Sequence, residues 1–142
     1  MRERRRMAVS RSAPYSPRKK GGSVSKTTTV GELENLVRGF CEERDWDQFH
    51  TPKELAVGIA TEAAELLAMF RFLSDEETHG VLESDRRVEV ENELADVMFF
   101  VLRFAQRFDV DLGLALERKI ELNGQKYPVE KSKGRNLKYT DL

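Results

Sequence analysis

The stretch from Ser84 to Phe108 limits the fold more than any other part of the chain. Val90, Leu94, Val97, Val101, Phe104 and Phe108 recur at intervals of 4, 3, 4, 3 and 4 residues. That is the period of one helix face, not the alternation of a strand. Val97-Met-Phe-Phe-Val-Leu102 would pass for a buried strand in isolation, but it sits inside this longer helical period. Met98, Phe99, Phe100 and Leu102 make the centre apolar nearly all round, so such a helix must be covered on several sides, within a bundle or at a subunit contact. No internal repeat and no credible strand appears elsewhere. The fold class expected is all-α, a four-helix bundle. Four helices in the 113 residues from 30 to 142 would struggle to cover this helix alone, so a homo-oligomer is expected, a dimer or a dimer of dimers.

Cap signals place the other helices. Thr29-Val-Gly-Glu32 has capping-box spacing and opens a helix to about Glu43. Thr51-Pro52-Lys53-Glu54 is a stronger version, because proline at the first helical position is pre-set for the turn; this helix should reach about Phe72. Ser74 to Gly80 reads as a polar loop, and the long helix begins near Ser84 and ends near Phe108. Asp111 can cap a fourth helix that stops around Asn123-Gly124, before Pro128. The stretch from Lys131 to Leu142 reads as basic and irregular.

Charge separates the body from what precedes it. The 142 residues carry 24 Lys/Arg against 25 Asp/Glu. Residues 1–29 hold nine basic side chains and one acid, a net of +8, and residues 30–142 hold fifteen against twenty-four, a net of −9. The tail, residues 1–28, has no hydrophobic period and is punctuated by Pro14, Pro17, Gly21 and Gly22. It cannot offset its ordering entropy by burial, so it reads as a disordered basic tail before a domain spanning 29–142. Its Arg/Ser-rich, acid-poor character resembles an organelle transit peptide, set against a cytoplasmic protein with a plain tail. No apolar run exceeds six residues, far below the roughly 20 needed to span a bilayer, so no membrane partner is expected. A near-zero net charge argues against a nucleic-acid partner held by bulk charge and none is expected, while the +8 of residues 1–29 leaves binding through that segment as a third option. The single cysteine, Cys41, excludes an internal disulfide and any CxxC site, and His50 and His79 leave little for a histidine metal site or a Ser-His-Asp triad.

The chemistry lies in the acids. Glu62-Ala-Ala-Glu65 and Glu93-Leu-Ala-Asp96 each place two carboxylates on one helix face. Spacing alone means little, since chance supplies about four such pairs in this composition and the chain has three, Glu42/Asp45 being the other. Position decides: Leu55, Ile59, Glu62, Leu66 and Met69 form a 4, 3, 4, 3 stripe, so Glu62 occupies a core position. Burying an ionised carboxylate costs several kcal/mol unless a cation neutralises it. Glu65 borders that stripe, Glu93 and Asp96 flank the stripe of the long helix, and Ala60, Ala63, Ala64 and Ala95 would let the two backbones approach. An all-oxygen donor set selects a hard ion, Mg²⁺ or alternatively Mn²⁺, suited to a polyphosphate. Glu76-Glu-Thr-His79 matches the Glu-x-x-His of di-iron bundles, but it occurs once and in an expected loop.

The spacing Glu62-x-x-Glu65 … Glu93-x-x-Asp96 resembles the signature of MazG-like all-α nucleoside triphosphate pyrophosphohydrolases, and within them the dCTP pyrophosphatase branch. Glu43-Arg-Asp-Trp-Asp-Gln-Phe-His50, Lys119-Ile-Glu-Leu-Asn123, Tyr127-Pro128 and Lys138-Tyr139-Thr140 extend the resemblance over about residues 30–142. It implies cleavage between the α- and β-phosphates of a (d)NTP, dCTP-like, to a monophosphate and pyrophosphate, in control of the nucleotide pool. The family's metal-binding acids fall on Glu62, Glu65, Glu93 and Asp96, with Glu62 or Glu65 as the carboxylate that acts on water. It also implies a site near a subunit contact.

A polyphosphate needs further cations, for which Lys119, Lys126, Arg135 and Lys138 are candidates, with the Tyr139 hydroxyl as a donor; the plainer alternative is a solvated basic C-terminus. Trp46 can stack on a base or pin a helix junction, and Asn123 can read a base edge or cap a helix. Tyr127, Phe72 and Phe100 complete the substrate-binding set, and His50 reads as structural. Val37, Phe72 and Phe100 stand where dCTP-specific members are expected to carry His, Trp and Tyr, so hydrogen-bonding groups that would favour cytosine are lost. A dUTPase-like or phosphoribosyl-ATP pyrophosphatase-like enzyme shares the chemistry. The alternative of another class is a non-catalytic helical interaction module, which would gain nothing from a carboxylate at position 62.

Overall fold

The computed structural model describes residues 28–142, so the basic tail of residues 1–28 falls, apart from Thr28, outside the described residues. Those described are all-helical, with no strand among them. They fall into two units that divide between Phe49 and His50.

The first unit holds α1 (Val30–Glu42) and a 3-10 turn, Trp46–Phe49. The capping box forms as the sequence requires: Glu32 N–H donates to the Thr29 hydroxyl at 3.2 Å, and Thr29 N–H donates to the Glu32 carboxylate at 2.7 Å. Asp45, at φ 52°, turns the chain after the helix. The Gln48 amide secures that turn, donating to the Asp45 carbonyl at 3.0 Å and carboxylate at 2.8 Å.

The second unit holds α2 (Pro52–Phe70), α3 (Asp75–Glu83), α4 (Arg87–Arg107), α5 (Leu112–Lys126), a short α6 (Val129–Ser132) and a 3-10 turn, Tyr139–Asp141. α2 is capped by Thr51, whose hydroxyl accepts from Glu54 N–H at 3.2 Å, with Pro52 at its first position. α4 ends where Asp109, at φ 55°, takes the left-handed conformation and Val110 N–H reaches back to the Ala105 carbonyl at 2.9 Å.

Four expectations are corrected. Ser74 to Gly80 is no loop: Ser74 and Glu77 form a reciprocal capping box that opens α3. Ser84 ends α3 instead of starting α4, because its extended backbone breaks the helix and its hydroxyl donates to the Val81 carbonyl at 2.9 Å. α5 runs through Asn123-Gly124 and stops only at Tyr127, whose backbone (φ −122°, ψ 66°) is pushed out of the helical region by Pro128. One mid-helix glycine costs about 1 kcal/mol, which the continuing backbone ladder tolerates. The stretch from Lys131 to Leu142, expected to be irregular, holds the end of α6 and the closing 3-10 turn.

α2 and α4 pack along each other and form the spine of this unit. Their direction follows from pairs of residues. The Phe100 ring lies against Gly58, and Glu62, four residues further along α2, meets Asp96, four residues back along α4. The helices are therefore antiparallel. On α2 the stripe behaves as expected, with Leu55 buried and Ile59, Glu62, Leu66 and Met69 half-buried. On α4 it does not. Val90 is buried and Val97, Val101 and Phe104 are half-buried, but Leu94 and Phe108 are exposed, while Leu102, Arg103 and Ala105 are buried instead. Arg103 is fully buried, with its Nε–H donating to His50 Nδ1 at 2.9 Å and a terminal N–H to Gln106. A guanidinium whose donors are used inside the protein can occupy a position that an unpaired charge cannot.

Candidate functional site

The α2–α4 seam brings three carboxylates together. Glu62 from α2 and Glu93 and Asp96 from α4 each present an oxygen within 4.8 Å of the others. Glu62 and Glu93 are half-buried and Asp96 is exposed, so the cluster is seated in the seam and open on one side. Glu65, the fourth acid of the motif, stands outside this trio, yet its charge still bears on Glu62. The Glu62 carboxyl is held above the usual glutamate range, first by loss of solvent and then by the negative charges of Glu65, Asp96 and Glu93.

Two further observations test whether a cation fits. Glu93 Oε2 is buried and accepts no hydrogen bond, a costly state for a carboxylate oxygen. No lysine or arginine among the described residues forms an ion pair with any of the four acids; on α4 Arg86 pairs with Glu89 and Arg87 with Glu91. Three oxygen donors, mutual repulsion and one orphaned lone-pair site fit a hard divalent cation. The di-iron match finds no such support. Glu76 and His79 lie on α3, not in a loop, but both are exposed, His79 Nδ1 contacts the Asp75 carbonyl at 2.7 Å, and neither joins a metal-competent group.

The candidate substrate residues gather in part. Lys119 and Asn123 lie four residues apart on α5 and so share one face, and Tyr127 follows as the residue that ends the helix. The tail returns to the end of that face. Tyr139 meets Tyr127 edge to face, ring centroids 5.9 Å apart, and Lys126 Nζ lies 5.2 Å from the Tyr139 ring centroid. Gly134, at φ +72°, supplies the left-handed turn in the returning segment. Arg135 and Lys138 are exposed on it. Sequence reasoning missed that Lys126 and Tyr127 hold the tail, because twelve residues separate the two tyrosines and no local pattern marks the pair.

The other aromatics are placed differently. Phe100 is half-buried on α4, braced edge to face by Phe99 at 5.5 Å. Phe72 lies just past α2, 86% exposed, with the Arg71 guanidinium over its ring at 5.0 Å. Trp46 belongs to the first unit, where it packs edge to face on Phe40 at 5.6 Å and remains 38% exposed. Arg44 covers the Phe40 ring at 3.7 Å. Trp46 is thus tied to α1 without being enclosed.

Residues 57–142 match the model of the MazG-like family. The chain is 37% identical over 121 residues to dCTP pyrophosphatase 1 of Rattus norvegicus, covering 84% of this chain and 71% of the relative. The human protein of the same name is 35% identical over 121 residues, with 84% and 71% covered. A crystal structure of a pyrophosphatase from Archaeoglobus fulgidus superposes with a TM-score of 0.67 at 39% identity, covering 75% of this chain and 99% of that one.

Proposed function

This chain belongs to the MazG-like family, and on that premise we propose that it is a nucleoside triphosphate pyrophosphohydrolase acting on deoxynucleotides of the dCTP class. The observation that carries the reading is the meeting of Glu62, Glu93 and Asp96 within 4.8 Å at a half-buried seam. These three residues would hold Mg²⁺, which when bound supplies positive charge against the phosphate oxygens. Glu65, beside the trio but outside it, is the carboxylate left to orient the attacking water and take its proton. The water oxygen bonds to phosphorus, the bridging P–O bond breaks, and pyrophosphate leaves from a nucleoside monophosphate.

The chain's own cations complete the polyphosphate site. Lys119 on α5 and Arg135 and Lys138 on the tail neutralise phosphate oxygens, with the Tyr139 hydroxyl as a donor. Asn123 and Tyr127 contact sugar or base, and Phe100 and Phe72 offer aromatic faces to the base. The working form is a homo-oligomer, a dimer or a dimer of dimers. The exposed Leu114, Leu116, Ile120 and Leu122 support this, since no residue of α5 is buried.

The test is a panel of dNTPs and NTPs with Mg²⁺, scored for pyrophosphate. Release of pyrophosphate with dCTP among the best substrates is expected. No turnover, or release of single phosphates, would sink the reading. No helix of the described residues is long and apolar enough to cross a membrane.

A further inference from the structure

Gly58 has no side chain where one would collide with an aromatic ring. A Cβ at this position would lie 2.5 Å from both Cδ1 and Cε1 of Phe100 and 2.8 Å from its Cγ. Carbon atoms in contact sit about 3.5–4.0 Å apart, so the ring rests directly on the α2 backbone in space that only glycine leaves open. Gly58 is in mid-helix, where alanine is the better helix former, so local helix stability gives no reason for glycine here.

The place of this contact is what matters. Gly58 is four residues before Glu62 on α2, and Phe100 is four residues after Asp96 on α4. Residues four apart share a helix face, so the glycine–ring contact lies on the same seam as the carboxylate trio, one turn along it. Phe99 braces Phe100 edge to face at 5.5 Å, with the rings at 83°. The ring is half-buried, so it is held and still presents surface.

We propose that Gly58 is a positioning residue for the substrate: lacking a Cβ, it seats the Phe100 ring as the wall at one end of the carboxylate groove, against which the nucleobase stacks. This rests on the pyrophosphohydrolase reading given above. Any side chain at 58 drives the ring off α2 and out of register with the trio. The base then loses its stacking surface while the carboxylates, one turn away, keep their places. The signature is a rise in KM without a matching loss in kcat or in metal affinity.

The experiment is a double-mutant cycle in the full chain with Gly58→Ala, Phe100→Leu and the pair. Readouts are melting temperature, the dissociation constant for Mn²⁺ alone, and kcat and KM for dCTP. Gly58→Ala is expected to lower the melting temperature, opposite to the effect of helix propensity, and to raise KM about fivefold, the loss of part of one base–aromatic stack. kcat and Mn²⁺ affinity should stay within about twofold of the parent. With Phe100→Leu already present, Gly58→Ala should change KM by less than about twofold and no longer lower the melting temperature, because the two residues act as one unit. Equal effects of Gly58→Ala on KM with and without the ring would overturn the proposal. So would an unchanged KM, or a loss confined to kcat and Mn²⁺ affinity. Parent protein that releases no pyrophosphate from any nucleotide overturns the functional reading and this proposal with it; parent turnover with additive variants overturns this proposal alone.

Discussion

Arg103 donates its Nε–H to Nδ1 of His50 at 2.9 Å, joining residues 53 apart in sequence inside the second unit. Because a guanidinium only donates, Nδ1 must accept, and the imidazole is neutral with its proton on Nε2. The contact ties the start of α2 to the last turns of α4, the end of the seam away from the carboxylates.

Replacing His50 by alanine leaves a donor of the buried Arg103 without this acceptor. The expected cost is about 1–3 kcal/mol, seen as a lower midpoint in urea unfolding. Arg103→Lys should cost a similar amount, since one ammonium cannot reproduce the fork that reaches both His50 and Gln106. Full stability in both variants would show that the pair holds nothing.

Glu62 makes stability depend on pH and metal together. Its carboxyl lies above the usual range through loss of solvent and then the charges of Glu65, Asp96 and Glu93. The folded chain therefore holds that proton more tightly than the unfolded chain does. This contribution is full below the ordinary glutamate range and is lost as pH rises through the raised value. Without metal, the parent should lose melting temperature relative to Glu62→Gln as pH climbs through that value. Added Mg²⁺ should restore the parent and leave the variant unmoved. The variant should also lose at least about 10²-fold in kcat. A parent whose melting curve ignores both Mg²⁺ and chelator would remove the metal assignment.

The opposite sign holds at α3. The Glu77 carboxyl is kept below its usual range by the Ser74 backbone N–H at 2.7 Å and then by the Ser74 hydroxyl. That contribution is present above the ordinary glutamate range and is lost as pH falls through the lowered value. Ser74→Ala should destabilise the unit by about 1 kcal/mol. A helix of nine residues has little stability of its own, so the loss should appear as faster amide exchange from Thr78 to Glu83. Unchanged protection there would mean that packing on α4, not the cap, sustains α3.

At the tail, Tyr139→Ala removes the ring that meets Tyr127 and Lys126, while Tyr139→Phe keeps it. The alanine variant should be cut faster by trypsin at Lys133, Arg135 and Lys138 and show a higher KM for dCTP. The phenylalanine variant should resist trypsin like the parent, so any rise in its KM reports the hydroxyl alone. Identical digestion of all three would mean that the ring does not hold the tail.

Local features were legible before any coordinates. The caps at Thr29, Thr51 and Asp111 depend on residues three positions apart, and each forms as its spacing demands. The α2 stripe carried the further message that Glu62 sits where an apolar residue belongs. The capping box at Ser74 and Glu77 was equally local, but its crowded acids read as a loop. Asn123-Gly124 read as a stop, although the stop belongs to Pro128, the one residue there that cannot continue a backbone ladder.

By itself, then, the sequence determined the all-helical character of the described residues, the starts of α1, α2 and α5, and the four acids of its motif. Tertiary structure decided which acids meet: Glu62, Glu93 and Asp96 form the trio and Glu65 stays outside. It also decided that α4 turns Arg103 inward and leaves Leu94 exposed. The physical reason is the reach of each signal. Caps and periodicity are interactions within a turn or two of helix, written in neighbouring residues. Register between α2 and α4 is set across more than thirty residues of chain, by where the Phe100 ring can lie on Gly58 and where His50 can receive Arg103.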